Sequence, residues 1–158
     1  MNKIQSIIAY LCNEYPHKSE ITKARLTKMV YLADWFSALL KGKQLTDINW
    51  VFNHYGPYVD DVVEAAQTNY GFKIETESTP YGTPKYIISF HGNSENIDLT
   101  NDDKEILQKV IEKTRSLYFN DFVDYVYSTY PVKTNERYST FNLEQLAQQY
   151  KAQQHILN

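Results

Sequence analysis

Thr22-Lys23-Ala24-Arg25-Leu26-Thr27-Lys28-Met29-Val30-Tyr31-Leu32-Ala33-Asp34-Trp35-Phe36-Ser37-Ala38-Leu39-Leu40 is the stretch on which the fold turns. Leu26, Met29, Val30, Ala33, Phe36 and Leu40 recur at three- and four-residue intervals, the spacing of one helical face. Thr22 has the side chain of an N-cap, and Gly42 stands where a helix ends. At about 1.5 Å per residue such a helix spans roughly 30 Å. A helix of that length predicts the central element of a single small domain, onto which the rest of the chain packs.

Upstream, Ile4, Ile7, Ile8, Leu11 and Cys12 form a second helical stripe over residues 2 to 14, stopped by Pro16. Downstream, Gly56-Pro57 places proline where a first helical turn tolerates its missing N–H, which predicts a helix over about 57 to 70. Phe72, Ile74 and Thr76 then alternate with Lys73, Glu75 and Glu77, and Tyr86, Ile88 and Phe90 repeat the two-residue period. The turn-forming residues 78 to 84 between them read as a flexible hairpin tip around Tyr81. Thr100 and Asp103 have the spacing of a variant capping box ahead of Ile106, Leu107, Val110 and Ile111. Asn120 is expected to cap a short helix ending before Pro131, and Asn142 to open a terminal one. The fold expected is α+β and mainly α-helical, a helical core with a small antiparallel β-hairpin. Residues 1–131 form the domain with its N-terminal helix; 132–158 supply a connector and a C-terminal helix packed on it.

The composition limits what this domain does. The 158 residues carry 16 Lys plus Arg against 19 Asp plus Glu, a formal charge of −3, which argues against a surface built for nucleic acid or anionic lipid. The charge is uneven: residues 1 to 43 hold seven basic and three acidic side chains, residues 44 to 130 six and fourteen. Cys12 is the single cysteine, so no internal disulfide or thiolate metal cage can form, and a reducing compartment fits. No run of about 18 apolar residues occurs and the first residues lack a secretory h-region, so a soluble cytoplasmic protein is expected. Aromatic residues make up 15% of the chain, which predicts a tyrosine-rich core or an aromatic contact surface.

Lys28-Met29-Val30-Tyr31-Leu32-Ala33, Gly42-Lys43-Gln44-Leu45 and Tyr55-Gly56-Pro57 occur in that order, with a strand pair and the Leu99-Thr100 helix start beyond them. Together they resemble the Panacea (SocA-like) antitoxin domain family over roughly residues 22 to 131. The resemblance implies an antitoxin that neutralises a genetically linked protein toxin by direct binding, without catalysis or cofactor. It also implies an alternative, an adaptor that hands its client to a protease. Relatives often close with a histidine shortly before Pro-Trp, where this chain has Tyr127-Ser128-Thr129-Tyr130-Pro131-Val132. Some carry a separate DNA-binding module, which the residues ahead of Ile21 are too few to form.

The residues expected to touch a partner are Lys28, Asp34, Trp35, Tyr55, Tyr58 and Tyr81. Lys28 and Asp34 lie toward the edge of the long helix's apolar stripe, and Trp35 lies off it, where an exposed indole is an interface anchor of the type enriched at hot spots. Tyr55 and Tyr58 flank Gly56-Pro57 with amphipathic rings, and Tyr81 sits at the hairpin tip. Packing is the competing explanation for the apolar members of the long helix, for Gly56 and Pro57, and for Cys12, which lies on an apolar face as a buried thiol.

Asp60, Asp61 and Glu64 beside His54 raise a metal site, against which first-turn carboxylates are expected from the helix dipole alone. His17, His91 and His155 are scattered, no nucleophile elbow or phosphate loop occurs, and no enzyme is expected. A winged-helix DNA binder shares the order of elements. Its groove-entering helix would carry Asp60, Asp61 and Glu64 with no Lys or Arg between 57 and 70, although Lys23, Arg25 and Lys28 supply a basic second helix.

Overall fold

The computed structural model describes residues 1 to 157, with side chains to residue 154. Helices α1 (Lys3–Glu14), α2 (Lys23–Lys41), α3 (Asp61–Gln67), α4 (Asn101–Thr114), α5 (Phe119–Tyr127), α6 (Tyr130–Thr134) and α7 (Leu143–Leu157) are joined by two antiparallel strand pairs. These are β1 (Val51–Asn53) with β2 (Gly56–Tyr58), and β3 (Phe72–Glu77) with β4 (Lys85–Phe90). The fold is α+β and mainly helical, as expected. The chain forms two compact units: one from Met1–Val30 and Asp60–Ser116, the other from Tyr31–Val59 and the chain from Leu117 onward.

In the first unit, α1 is opened by a reciprocal cap. Gln5 N–H donates to Asn2 Oδ1 at 2.8 Å, and Asn2 N–H donates to Gln5 Oε1 at 3.0 Å. Its Ile7, Ile8 and Leu11 are fully buried against α3, α4 and β4, each contributing about 1.5–3 kcal/mol by leaving water. The amide of Gln5 reaches Ala65 O at 3.1 Å, so a polar group on this face is satisfied. Thr100 and Asp103 form the capping box expected of α4, and Lys3 donates to Asp103 at 2.5 Å. β3 and β4 pair with Ile74 opposite Ile88 and Glu75 opposite Ile87. The other side of β4 meets Ile21–Thr22, where Ile88 N–H donates to Ile21 O at 2.9 Å. The first turns of α2 also belong here, and Arg25 N–H groups reach Tyr15 Oη at 2.6 Å and Thr114 O at 2.9 Å.

In the second unit, α2 ends at Lys41, with Gly42 at φ +77° beyond it. Two expectations need correction. The helix expected over 57 to 70 begins only at Asp61, because Gly56 takes φ +101° and turns the chain back to pair β2 with β1, Pro57 opposite Phe52. Asn120 is not a cap: α5 starts earlier, with Tyr118 at its N-cap and Phe122 N–H donating to Tyr118 O at 2.8 Å. Pro131 opens α6 rather than merely ending what precedes it, since proline fits a first turn.

Residues 130 to 141 hold α6 and an arm that runs along the free side of β1. Phe52 N–H donates to Ser139 O and Phe141 N–H to Trp50 O, both at 2.9 Å. Asn142 caps α7 through Gln145 N–H at 3.1 Å. Phe52 and Phe141 pack with ring centroids 5.9 Å apart, and both are buried.

Candidate protein-binding surface

The second unit is organised by one buried carboxylate. Asp34 Oδ1 accepts from Thr46 N–H at 2.9 Å, and Oδ2 accepts from the Thr46 hydroxyl at 2.5 Å, Trp50 Nε1 at 2.8 Å and Gln44 Nε2 at 3.3 Å. Burial pushes its carboxyl up to about 6, against the opposing pull of the Thr46 and Trp50 donors. One turn of helix away, Tyr31 meets the Trp50 ring edge-on at 5.6 Å. The Thr129 hydroxyl donates to Val126 O at 2.6 Å, so it accepts from Tyr31 Oη at 2.8 Å. These contacts clamp residues 44 to 50 onto α2 and fix where β1 starts.

From that anchored start, β1 and β2 carry a two-residue turn, His54-Tyr55, out to solvent. Tyr55 is 77% exposed and its ring meets His54 edge-on at 4.5 Å. The arm beside β1 brings a second ring: Tyr138 is 68% exposed, with its hydroxyl 3.3 Å from His54 Nδ1. Arg137 Nε donates to His54 O at 3.1 Å while its guanidinium lies 5.6 Å from the buried Phe52 ring. Tyr138 is the only non-glycine residue among those described with positive φ, at +70°. A tyrosine in that region is strained, and such strain persists where surrounding contacts hold it. Two exposed phenols, an imidazole and a guanidinium therefore gather where the arm meets the turn. Tyr and Arg are side chains enriched at protein interfaces, where a flat ring contributes large contact area at small conformational cost.

A model of the antitoxin SocA-like family, Panacea domain, matches residues 26–131. The chain belongs to that family. No curated protein and no solved structure matches the chain. As a SocA-like antitoxin it has a toxin as its implied partner.

The matched span holds all six residues expected at the partner surface, and the structure separates them. Tyr55 stands at the exposed turn, with Tyr58 half-buried on the following strand. Tyr81 is 93% exposed on the β3–β4 tip, in the other unit. The expected exposure of the three α2 residues is corrected. Asp34 is fully buried because Thr46, Gln44 and Trp50 close over it. Trp35 is 4% exposed because α7 brings the Tyr150 ring within 6.1 Å of it, and Tyr150 in turn meets Tyr130. Lys28 is 3% exposed, and burial lowers its ammonium to about 8. The family-like segment of α2, Lys28 to Ala33, is thus buried. Arg137 and Tyr138, which lie past the matched span, were not among the residues expected at a surface. The signal that could have found them is thin: an Arg-Tyr pair in a segment with no periodicity.

Other sequence candidates fall out of this surface. Cys12 is buried, its thiol pushed up to about 12 by desolvation. Among the described residues, no three side chains of His, Cys, Asp or Glu converge as a metal would require. Of the basic α2 residues, Arg25 and Lys28 are buried and Lys23 lies 4.3 Å over the Tyr86 ring. The helix that a winged-helix reader would insert is the seven-residue α3, bearing Asp61 and Glu64. No described helix is long and apolar enough to cross a membrane. The side chain of His155 lies outside the described residues.

Proposed function

We propose that this SocA-like antitoxin neutralises a cognate protein toxin in the cytoplasm by binding it directly, without catalysis, through the His54-Tyr55 turn and the adjoining Arg137-Tyr138. The observation carrying this reading is the exposure of Tyr55, on a turn whose strand starts at the Asp34 hydrogen-bond cluster, and of Tyr138 on the arm beside it. Family membership supplies the class of partner, and the turn supplies a pre-organised aromatic contact.

The test is co-expression with the toxin gene, reading both growth rescue and co-purification. Replacement of Tyr55 and Tyr138 together by alanine should leave melting behaviour close to wild type and weaken the complex at least about tenfold, as loss of interface hot spots does. A complex of unchanged affinity would remove the surface from the proposal. Failure of the two wild-type proteins to co-purify would remove direct binding. A toxin level that falls only when a protease is present would instead make the chain an adaptor.

A further inference from the structure

β4 is paired on both sides, whereas among the described residues β3 is paired on one. The β4 backbone fixes which groups face outward. Ile88 N–H points away from β3, to Ile21 O, while His91 N–H points to Gly71 O on the β3 side. With the register Glu75 to Ile87 and Lys73 to Ser89, the alternation of an antiparallel ladder then turns Lys73, Glu75 and Glu77 toward β4. Phe72, Ile74 and Thr76 present their backbone groups at the open edge. Phe72 N–H is taken by Asn69 O at 3.2 Å, and among the described residues no hydrogen-bond partner reaches Ile74 or Thr76 from outside. An unpaired strand edge of this kind is a template for another strand.

We propose that the β3 edge pairs with β3 of a second copy of the chain, antiparallel, about a twofold axis at Ile74. The charge pattern selects both the occupant and the register. With Ile74 opposite its own copy, Lys73 faces the copy's Glu75 and Glu75 faces its Lys73, two opposite-charge pairs in the close, non-hydrogen-bonded positions. Moving the axis to Lys73 sets Lys73 against itself. Moving it to Glu75 sets Glu75 against itself, and moving it to Thr76 sets Glu75 against Glu77 twice. Of these registers only the one at Ile74 avoids a like-charge contact, and an axis at Phe72 would need the N–H that Asn69 O already holds. Lys73 and Glu75 are free to make it: both are mostly exposed, and their present contact with each other is a loose 3.6 Å. The twofold also lets Ile74 exchange both of its backbone bonds with its copy, and Thr76 N–H reach the copy's Phe72 O. The contact is isologous and closes at two chains, so it forms a dimer and not a filament. One short strand makes a small interface, so the dimer belongs to the weak, concentration-dependent class.

Sedimentation velocity over a concentration series tests this on the chain alone, independently of any toxin. The wild type should move toward twice the monomer mass as concentration rises. Lys73→Glu and Glu75→Lys should each hold the chain monomeric, and the two together should restore the dimer, because the exchanged charges again face opposites. Ile74→Pro removes one outward N–H and leaves the β3–β4 ladder intact, so it should give a folded monomer. A wild type monomeric at every concentration overturns the proposal. So does a dimer that ignores the single reversals, or one that the double exchange fails to recover. If the edge takes a strand of the toxin instead, the lone chain stays monomeric and Ile74→Pro loses the toxin, which also overturns it.

Discussion

The indole N–H of Trp50 donates to the carboxylate of Asp34 at 2.8 Å, with both residues fully buried and 16 positions apart in the chain. That bond ties the last residue before β1 to the middle of α2. The strand that carries the His54-Tyr55 turn starts from this anchor. Asp34→Asn keeps the shape but sets an amide NH2 against donors from Thr46, Trp50 or Gln44. The expected loss is about 2–3 kcal/mol, read by urea unfolding, since a buried donor left facing a donor keeps its desolvation cost. Toxin binding should fall with it, because the base of the turn loosens.

Lys28 predicts a pH dependence of definite sign. Its folded value is about 8 against an ordinary 10.5, so between those values the unfolded chain holds a proton the folded chain has released. Stability therefore rises with pH across that window. Lys28→Met should flatten the rise and stabilise the protein at pH 7 by at most about 3 kcal/mol, from a shift of 10.5 − 8 at 1.36 kcal/mol per unit. Chemical denaturation of both proteins from pH 7 to 10 measures it; equal slopes would count against an uncompensated ammonium.

Tyr138 separates stability from binding. Its φ of +70° costs a non-glycine residue about 1–2 kcal/mol, which Tyr138→Gly relieves in the folded state. Part of that gain is offset by the freer unfolded chain. The variant should melt no lower than wild type and yet bind toxin more weakly, having lost an exposed ring and the hydroxyl beside His54. A melting temperature several degrees lower would show that Tyr138 is held for packing.

Gly56 at φ +101° makes the opposite case. Gly56→Ala should destabilise by about 1–2 kcal/mol, because a β-carbon is disfavoured in that region. It should also misplace Tyr55. Thermal melts and toxin affinity should fall together.

Cys12 should resist alkylation in the folded protein at pH 8 and react at once after unfolding, since desolvation holds its thiol near 12 and its side chain is 4% exposed. Mass spectrometry after iodoacetamide treatment with and without denaturant reads this directly.

Much of the architecture was legible from side-chain periodicity and caps. The stripes Ile7-Ile8-Leu11 and Leu26-Met29-Val30-Ala33, the Thr100–Asp103 box and the β3–β4 alternation all report local geometry, and each element formed where its pattern lay. The β1–β2 pair was not legible. Pro57 argues for a helix start, and only the positive φ of Gly56, set by pairing with β1, decides otherwise.

The candidate surface was half legible. Tyr55 was expected at the surface as an amphipathic ring beside Gly56-Pro57, and it is exposed. Asp34 and Trp35 were misplaced because the groups that cover them, Trp50 and Tyr150, lie 16 and 115 positions further along the chain. Amino-acid order alone settled which residues could be helical, which faces were apolar and which family the long helix belonged to, because those depend on neighbours within a few positions. Tertiary structure alone decided that Asp34 is a buried anchor rather than a contact, and that Tyr138 stands beside His54. Burial and juxtaposition depend on which distant segments close over a residue, and no local spacing encodes that.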